Sequence, residues 1–218
     1  MESFRAVLFD MDGTLLDTLA DIGNSVNRVL SVNGFPIHPL ESYQYFVGDG
    51  SSVLIEKALP PKYRNPETIA HCLKGYQEDY GRNWRTDTRL YEGISELLDG
   101  LVESGLRMSI LSNKYHQFTV QCAEAFLNRW PFDVVFGIRN SVPKKPDPAG
   151  AIEISTILNI PPAEFLYVGD TSVDMQTAVS AGMFPVGVLW GFRLKDELVS
   201  SGAKMIISNP QELLNMIH

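Results

Sequence analysis

Cysteine is scarce. Cys72 and Cys122 are the only two in 218 residues, far apart and without metal-ligand spacing. They read as free, partly buried thiols, which sets aside a disulfide scaffold and a zinc module. No apolar run approaches the length of a membrane span, and the opening MESFRAVLFD lacks a signal-peptide pattern. A cytoplasmic location is the default. Basic residues are outnumbered, 18 Lys and Arg against 26 Asp and Glu, for a net charge of −8. Nucleic acid and anionic membranes recruit basic patches, so neither is an expected partner. A small anionic substrate stays open, because one lysine and one metal ion can reverse the field locally. There is no internal repeat and no low-complexity tract. With 44% hydrophobic and 20% charged residues, the chain reads as one substantial α/β domain plus a smaller module.

What is present centres on Phe4 to Thr14, FRAVLFDMDGT. Ala6-Val7-Leu8-Phe9 is a short run apolar on both parities, as in a strand buried on both faces of a parallel sheet. It stops at Asp10-Met11-Asp12-Gly13-Thr14. Ligands bind at the C-terminal edge of such sheets. Two carboxylates this close repel unless a cation or shared proton intervenes. The bland alternative is a strand ending in a polar turn.

Residues 19–85 carry helical signals only. Leu19 to Val32 places Leu19, Ile22, Val26, Val29 and Leu30 on one face. Ser42 to Phe46 is a short helix or turn, Val47 to Ser52 a glycine-rich loop, Val53 to Leu59 a helix. Glu67 to Trp84 is a long helix with Ile69, Cys72, Leu73, Tyr76 and Tyr80 on one side. From residue 89 onward strands and helices alternate, which means βαβ units. Strands are expected at 107–111, 134–136, 165–168, 184–188 and 205–207. Helices are expected at 94–104, 116–128, 149–158, up to 181, 195–200 and 211–217. The fold class is therefore α/β, a Rossmann-like three-layer parallel-sheet core formed by 1–15 and 89–218. An all-helical cap, 16–88, is inserted into it. The first strand should lie between the second and fourth core strands.

Four polar clusters fall at strand ends or just beyond them: Asp10/Asp12, Ser112/Asn113, Lys145 and Asp170/Asp174. Each has a plain structural reading: Ser112 as a helix N-cap, Lys145 as a solvated loop charge, Gly169-Asp170 as a turn. Together, in this order and context, they resemble the four motifs of the haloacid-dehalogenase-like hydrolase superfamily, over essentially the whole chain. The resemblance implies a Mg²⁺-dependent phosphatase. Asp10 would be nucleophile and metal ligand, and Asp12 general acid/base, with its backbone carbonyl on the metal. Asp170 would be the other metal ligand. Asp174 would hold a metal-bound water or orient Lys145, with Gly169 in support. Thr14, Ser112, Asn113 and Lys145 would bind phosphate. Lys144 is adjacent, and sequence leaves it open as the phosphate ligand, although Lys-Pro-Asp-Pro favours Lys145.

Asp12 separates this chain from dehalogenase members, which lack the second Asp, and from phosphonoacetaldehyde hydrolases, which use a cap lysine. Lys57, Lys62 and Lys74 read as solvated charges. A sugar-phosphate mutase, an inorganic pyrophosphatase and a non-catalytic phospholigand binder remain as rivals. His38, His71, His116 and His218 show no ligand spacing, and Trp84, Trp130 and Trp190 read as packing residues. Trp190-Gly191-Phe192-Arg193 is similar to a loop of phosphoglycolate-phosphatase-like members; otherwise it is a turn with an exposed Arg. The cap loop Gly48-Asp49-Gly50-Ser51 resembles the cap of the same members. It implies a small phosphorylated acid such as 2-phosphoglycolate, its carboxylate held by backbone N–H groups; the alternative is a simple turn. The partner is then a small phosphorylated metabolite, on a monomer or homodimer.

Overall fold

The structure, a computed structural model, describes residues 4–217. The chain opens with strand β1, Ala6–Phe9, whose four residues are wholly buried. Burying Val, Leu and Phe side chains stabilises a fold by about 1.5–3 kcal/mol each. The two-residue strand β2, Leu16–Asp17, follows, then helix α1, Leu19–Val32. A 3₁₀ turn at Leu40–Tyr45 leads to α2, Ser51–Ala58, and a second at Pro61–Tyr63 to α3, Pro66–Asn83. Asn65 caps α3 by accepting the Thr68 N–H at 3.0 Å, with Pro66 at the first helical position. Strand β3, Arg89–Leu90, pairs with β2 in a two-stranded ribbon.

The remaining chain alternates: α4 Ile94–Glu103, β4 Arg107–Tyr115, α5 His116–Phe126, β5 Phe132–Ile138 and α6 Ala149–Leu158. Then come a 3₁₀ turn at Pro162–Glu164, β6 Phe165–Gly169, α7 Ser172–Ala181 and β7 Phe184–Val188. The chain closes with α8 Lys195–Ser200, β8 Met205–Ile207 and α9 Gln211–Leu214. The large sheet has the order β5-β4-β1-β6-β7-β8, with every pairing parallel. β1 thus lies between β4 and β6, as the clustering of motifs at one edge requires. Phe9 stands level with Ile110 on one side and Val168 on the other. Ala6, Leu8, Ala151, Ile154, Phe165, Tyr167 and Ala178 form one wall of the core.

The described residues fall into two compact units. One is the chain up to Leu16 together with the chain from Leu90, and the other is Asp17–Arg89. Several element limits differ from the sequence expectation: β5 is longer than 134–136 at both ends, and Leu16–Asp17, expected to open an all-helical cap, is strand β2. β4 runs to Tyr115 instead of stopping at Leu111, because Tyr115 re-pairs with Ile138 beyond a register irregularity. Ser112, Asn113 and Lys114 therefore lie within a strand. Helix α2 begins at Ser51, since Gly50 (φ 89°) makes the turn, so Ser51 belongs to the helix and not to the loop. Helix α9 ends at Leu214, three residues early.

Candidate active site

Asp10 leaves β1 at the carboxyl edge of the sheet, its N–H still bonded to the Val168 carbonyl at 2.9 Å. Met11 then closes a tight turn, accepting from the N–H groups of Leu15 and Leu16 at 3.0 Å. Gly13 makes that turn possible: its φ is +88°, and a Cβ there would lie 2.3 Å from Asp170 Oδ2. The glycine lets β1's loop lie against the end of β6.

The centre of the site is Lys145. Its side chain is almost fully buried, and its Nζ lies 2.7 Å from Asp174 Oδ1 and 2.9 Å from Asp10 Oδ1. The Asp10 contact is an ion contact without hydrogen-bond alignment, since that oxygen has no hydrogen-bond partner. Burial opposes the lysine's charge, but Asp10 and Asp174 outweigh it and hold the ammonium well above the usual lysine range. Lys144, by contrast, is exposed. The structure places Lys145, not Lys144, among the carboxylates. Asn113 fixes Lys145 from behind: its side chain donates to the Lys145 carbonyl and accepts the Lys145 N–H, both at 3.0 Å. The sequence reading gave Asn113 a phosphate role and missed this.

Asp174 serves two partners. Oδ1 takes Lys145, while Oδ2 accepts the Thr171 N–H at 3.1 Å and hydroxyl at 2.7 Å, closing a capping box on α7. The alternative that it orients Lys145 fits this geometry. Gly169 permits it, because a Cβ at 169 would lie 2.3 Å from the Asp174 Cβ. Asp170 is wholly buried and accepts the Thr14 hydroxyl at 3.1 Å and the Phe192 N–H at 2.8 Å. Thr14, expected on phosphate, spends its hydroxyl on Asp170. The Trp190–Arg193 loop is not an exposed turn. Trp190 Nε1 donates to the Thr14 carbonyl at 2.9 Å, and Arg193 is buried and pairs with Glu197 at 3.3 Å.

Burial, then repulsion from Asp174, pushes Asp10 up to about 7 despite Lys145, and Asp170 well above the usual carboxylate range, with Asp10 adding to the repulsion there. Oxygens of Asp10, Asp170 and Asp174 lie within 4.8 Å of one another. Oxygen-only donors, a buried Asp10 oxygen that accepts no aligned hydrogen bond and an excess of negative charge together suit a hard divalent cation.

Asp12 faces a second ammonium. Lys114 Nζ lies 2.9 Å from Asp12 Oδ1 and 3.2 Å from Oδ2, with 6% and 11% of the two side chains exposed. This residue escaped the sequence reading. No local signal marked it: the strand was expected to end at Leu111, and its continuation to Tyr115 is what sets Lys114 beside Ser112. Ser112 is buried, and its Oγ accepts the Lys114 N–H at 3.2 Å.

In the other unit, Gly48 and Gly50 have φ of 125° and 89°, and the Asp49 carboxylate is paired with Lys57 at 2.8 Å. That pair offsets the loop's own acidic charge.

A parallel sheet with this edge cluster, Asp-x-Asp first, is the architecture of one hydrolase class. Residues 7–188 match the family described as Haloacid dehalogenase-like hydrolase, and the chain belongs to that family. Within it, the chain is similar to proteins named Phosphoglycolate phosphatase. One, from Thiobacillus denitrificans, is 30% identical over 88% of this chain and 88% of its own length. Another, from Psychrobacter arcticus, is 29% identical over 89% of this chain and 87% of its own. A crystal structure from Lactobacillus delbrueckii subsp. bulgaricus superposes with a TM-score of 0.93, at 25% identity, covering 99% of this chain and 98% of that one.

Proposed function

We propose that this phosphoric monoester hydrolase acts on 2-phosphoglycolate or a close carboxylated relative, through an aspartyl-phosphate on Asp10. The observation that carries the mechanism is the edge cluster: Asp10 held 2.9 Å from a buried ammonium, with Asp12 two residues on. The names of the relatives support the substrate.

Phosphoryl transfer asks a protein for position and charge more than for covalent chemistry. Asp10 attacks phosphorus and the bond to the bridging oxygen breaks. Asp12 gives that oxygen a proton, and the alcohol leaves. Asp12 then takes a proton from water as the water oxygen attacks phosphorus and the Asp10–phosphorus link opens. Lys145 offsets charge on the transferring oxygens, with Ser112 Oγ and the Asn113 N–H as further donors. Asp10, Asp170 and the Asp12 carbonyl would hold Mg²⁺, with Asp174 steering Lys145. Bound there, the ion neutralises phosphoryl charge as a Lewis acid.

A panel of phosphate monoesters assayed with Mg²⁺, EDTA and Ca²⁺ tests the reading. Hydrolysis with Mg²⁺, loss in EDTA, inhibition by Ca²⁺ and a preference for 2-phosphoglycolate are expected. Full turnover in rigorously metal-free protein would contradict the metal assignment, and indifference among monoesters the substrate.

A further inference from the structure

We propose that Lys114 selects the leaving group: its ammonium rests on Asp12 in the free protein and moves to the carboxylate of a bound phosphorylated hydroxy acid. The inference rests on the phosphatase reading and names the residue that would read the substrate's second anion.

The two lysines of the site differ in commitment. Lys145 bridges Asp10 and Asp174, and Asn113 pins its backbone. Moving it would strand two buried carboxylates. Lys114 sits astride the fork of one carboxylate, 2.9 and 3.2 Å from its two oxygens. It lies near the end of β4, two residues after Ser112, whose Oγ accepts its N–H, and its ammonium reaches Asp12 beside the phosphoryl site. Asp12 must approach the bridging oxygen to within hydrogen-bond reach to protonate it. Whatever sits on Asp12 is therefore a neighbour of the leaving group. In 2-phosphoglycolate the carboxylate is one methylene from that bridging oxygen, so it would arrive beside Asp12 and the ammonium that Asp12 holds.

Charge argues the same way. Asp10, Asp12, Asp170 and Asp174 face two ammonium groups, Lys145 and Lys114. A divalent cation offsets the excess on the Asp10 side. A substrate carboxylate arriving beside Asp12 meets like charge unless Lys114 turns to it. The exchange trades one buried ion pair for another, so little is lost, and it uncovers the Asp12 oxygens that must face the bridging oxygen. A neutral leaving group offers no counter-charge and leaves Asp12 clamped. Selectivity then comes from a penalty on the wrong substrate as much as from attraction to the right one.

The test compares kcat/KM of the Mg²⁺-loaded enzyme for 2-phosphoglycolate and for ethyl phosphate, which carries a methyl group in place of the carboxylate. In Lys114→Met the ratio of the two should fall about 100-fold, the scale of a lost buried charge pair, and Lys114→Arg should restore most of it. An unchanged ratio, with both substrates hit alike, overturns the inference and reduces Lys114 to a structural partner of Asp12. Should Lys114→Met fail to fold, wild-type affinities decide: 3-phosphonopropionate should bind at least about tenfold tighter than propylphosphonate, and Lys114→Arg should keep most of that margin. Equal affinities overturn the inference. Absence of turnover on any monoester by the wild type would instead defeat the phosphatase reading beneath it.

Discussion

In the helical unit, the Asp21 carboxylate accepts the N–H groups of Asp87 and Thr88 and the Thr88 hydroxyl, at 2.7–3.1 Å. Nearby, Asp79 is bound through both oxygens by Arg28, and although burial works against its charge, that guanidinium holds it below the usual carboxylate range. In the sheet unit, Asp10 and Asp170 are pushed the other way, by burial and by repulsion from Asp174, with Asp10 adding to the repulsion on Asp170. The first unit uses acids whose charge the fold already satisfies. The second assembles acids whose charge the fold leaves short of a partner, and such tension marks a place where an ion or substrate completes the balance. Three of its carboxylates converge, while Asp21 needs nothing more.

The largest break in this contrast is Asp10→Asn. It keeps the shape and removes the nucleophile, so hydrolysis should fall about 10³-fold or more. The metal-free protein should melt no lower than wild type, because a repelled buried charge is gone. A drop in both, measured by steady-state kinetics and thermal melting, would mean that Asp10 holds the fold. Asp21→Ala should do the opposite. It strands the N–H groups of Asp87 and Thr88, at a cost of about 2–4 kcal/mol in denaturant unfolding.

A pH series on metal-free protein sharpens the comparison. Asp10 is raised from 3.8 to about 7 in the fold. Its contribution to stability is full below the unfolded value and is lost as pH rises through 7. Asp170, also raised, adds to that loss. Asp79, lowered, acts in reverse: its contribution holds above 3.8 and disappears only in stronger acid. Between pH 5 and 8 the melting temperature of metal-free protein should therefore fall by a few degrees, and Mg²⁺ should abolish the slope. A melting temperature rising over that range contradicts the assignment. The smallest effect is Arg28→Met. Its partner pair is part-exposed, so unfolding should become easier by only about 0.5–1 kcal/mol, with an acid-side shift if Asp79 loses its guanidinium.

The sequence made the sheet order and most elements legible because the signals were local. An apolar run bounded by Asp10, helical spacing in 19–32, and strand-helix alternation after residue 89 need no tertiary knowledge. What stayed hidden depended on pairing across the chain. Lys114 lies 102 residues from Asp12, and nothing near Ser112-Asn113 announced that the strand would continue past them. Thr14 and Phe192 meet on Asp170 only because β1 and β6 are neighbours and the chain returns after β7. Strand ends, set by register with the next strand, were the least readable limits, as β4 illustrates.

The central claim is that Asp10 carries the phosphoryl group. Rapid mixing with substrate and Mg²⁺, quenching within one turnover, and reduction with borohydride convert an aspartyl-phosphate to homoserine. Mass spectrometry of the peptide holding Asp10 should then find homoserine at that position, only when substrate was present, and none in Asp10→Asn. Turnover without any Asp10 adduct, and with inverted configuration at a chiral phosphoryl group, would show that water attacks phosphorus directly and contradict the account.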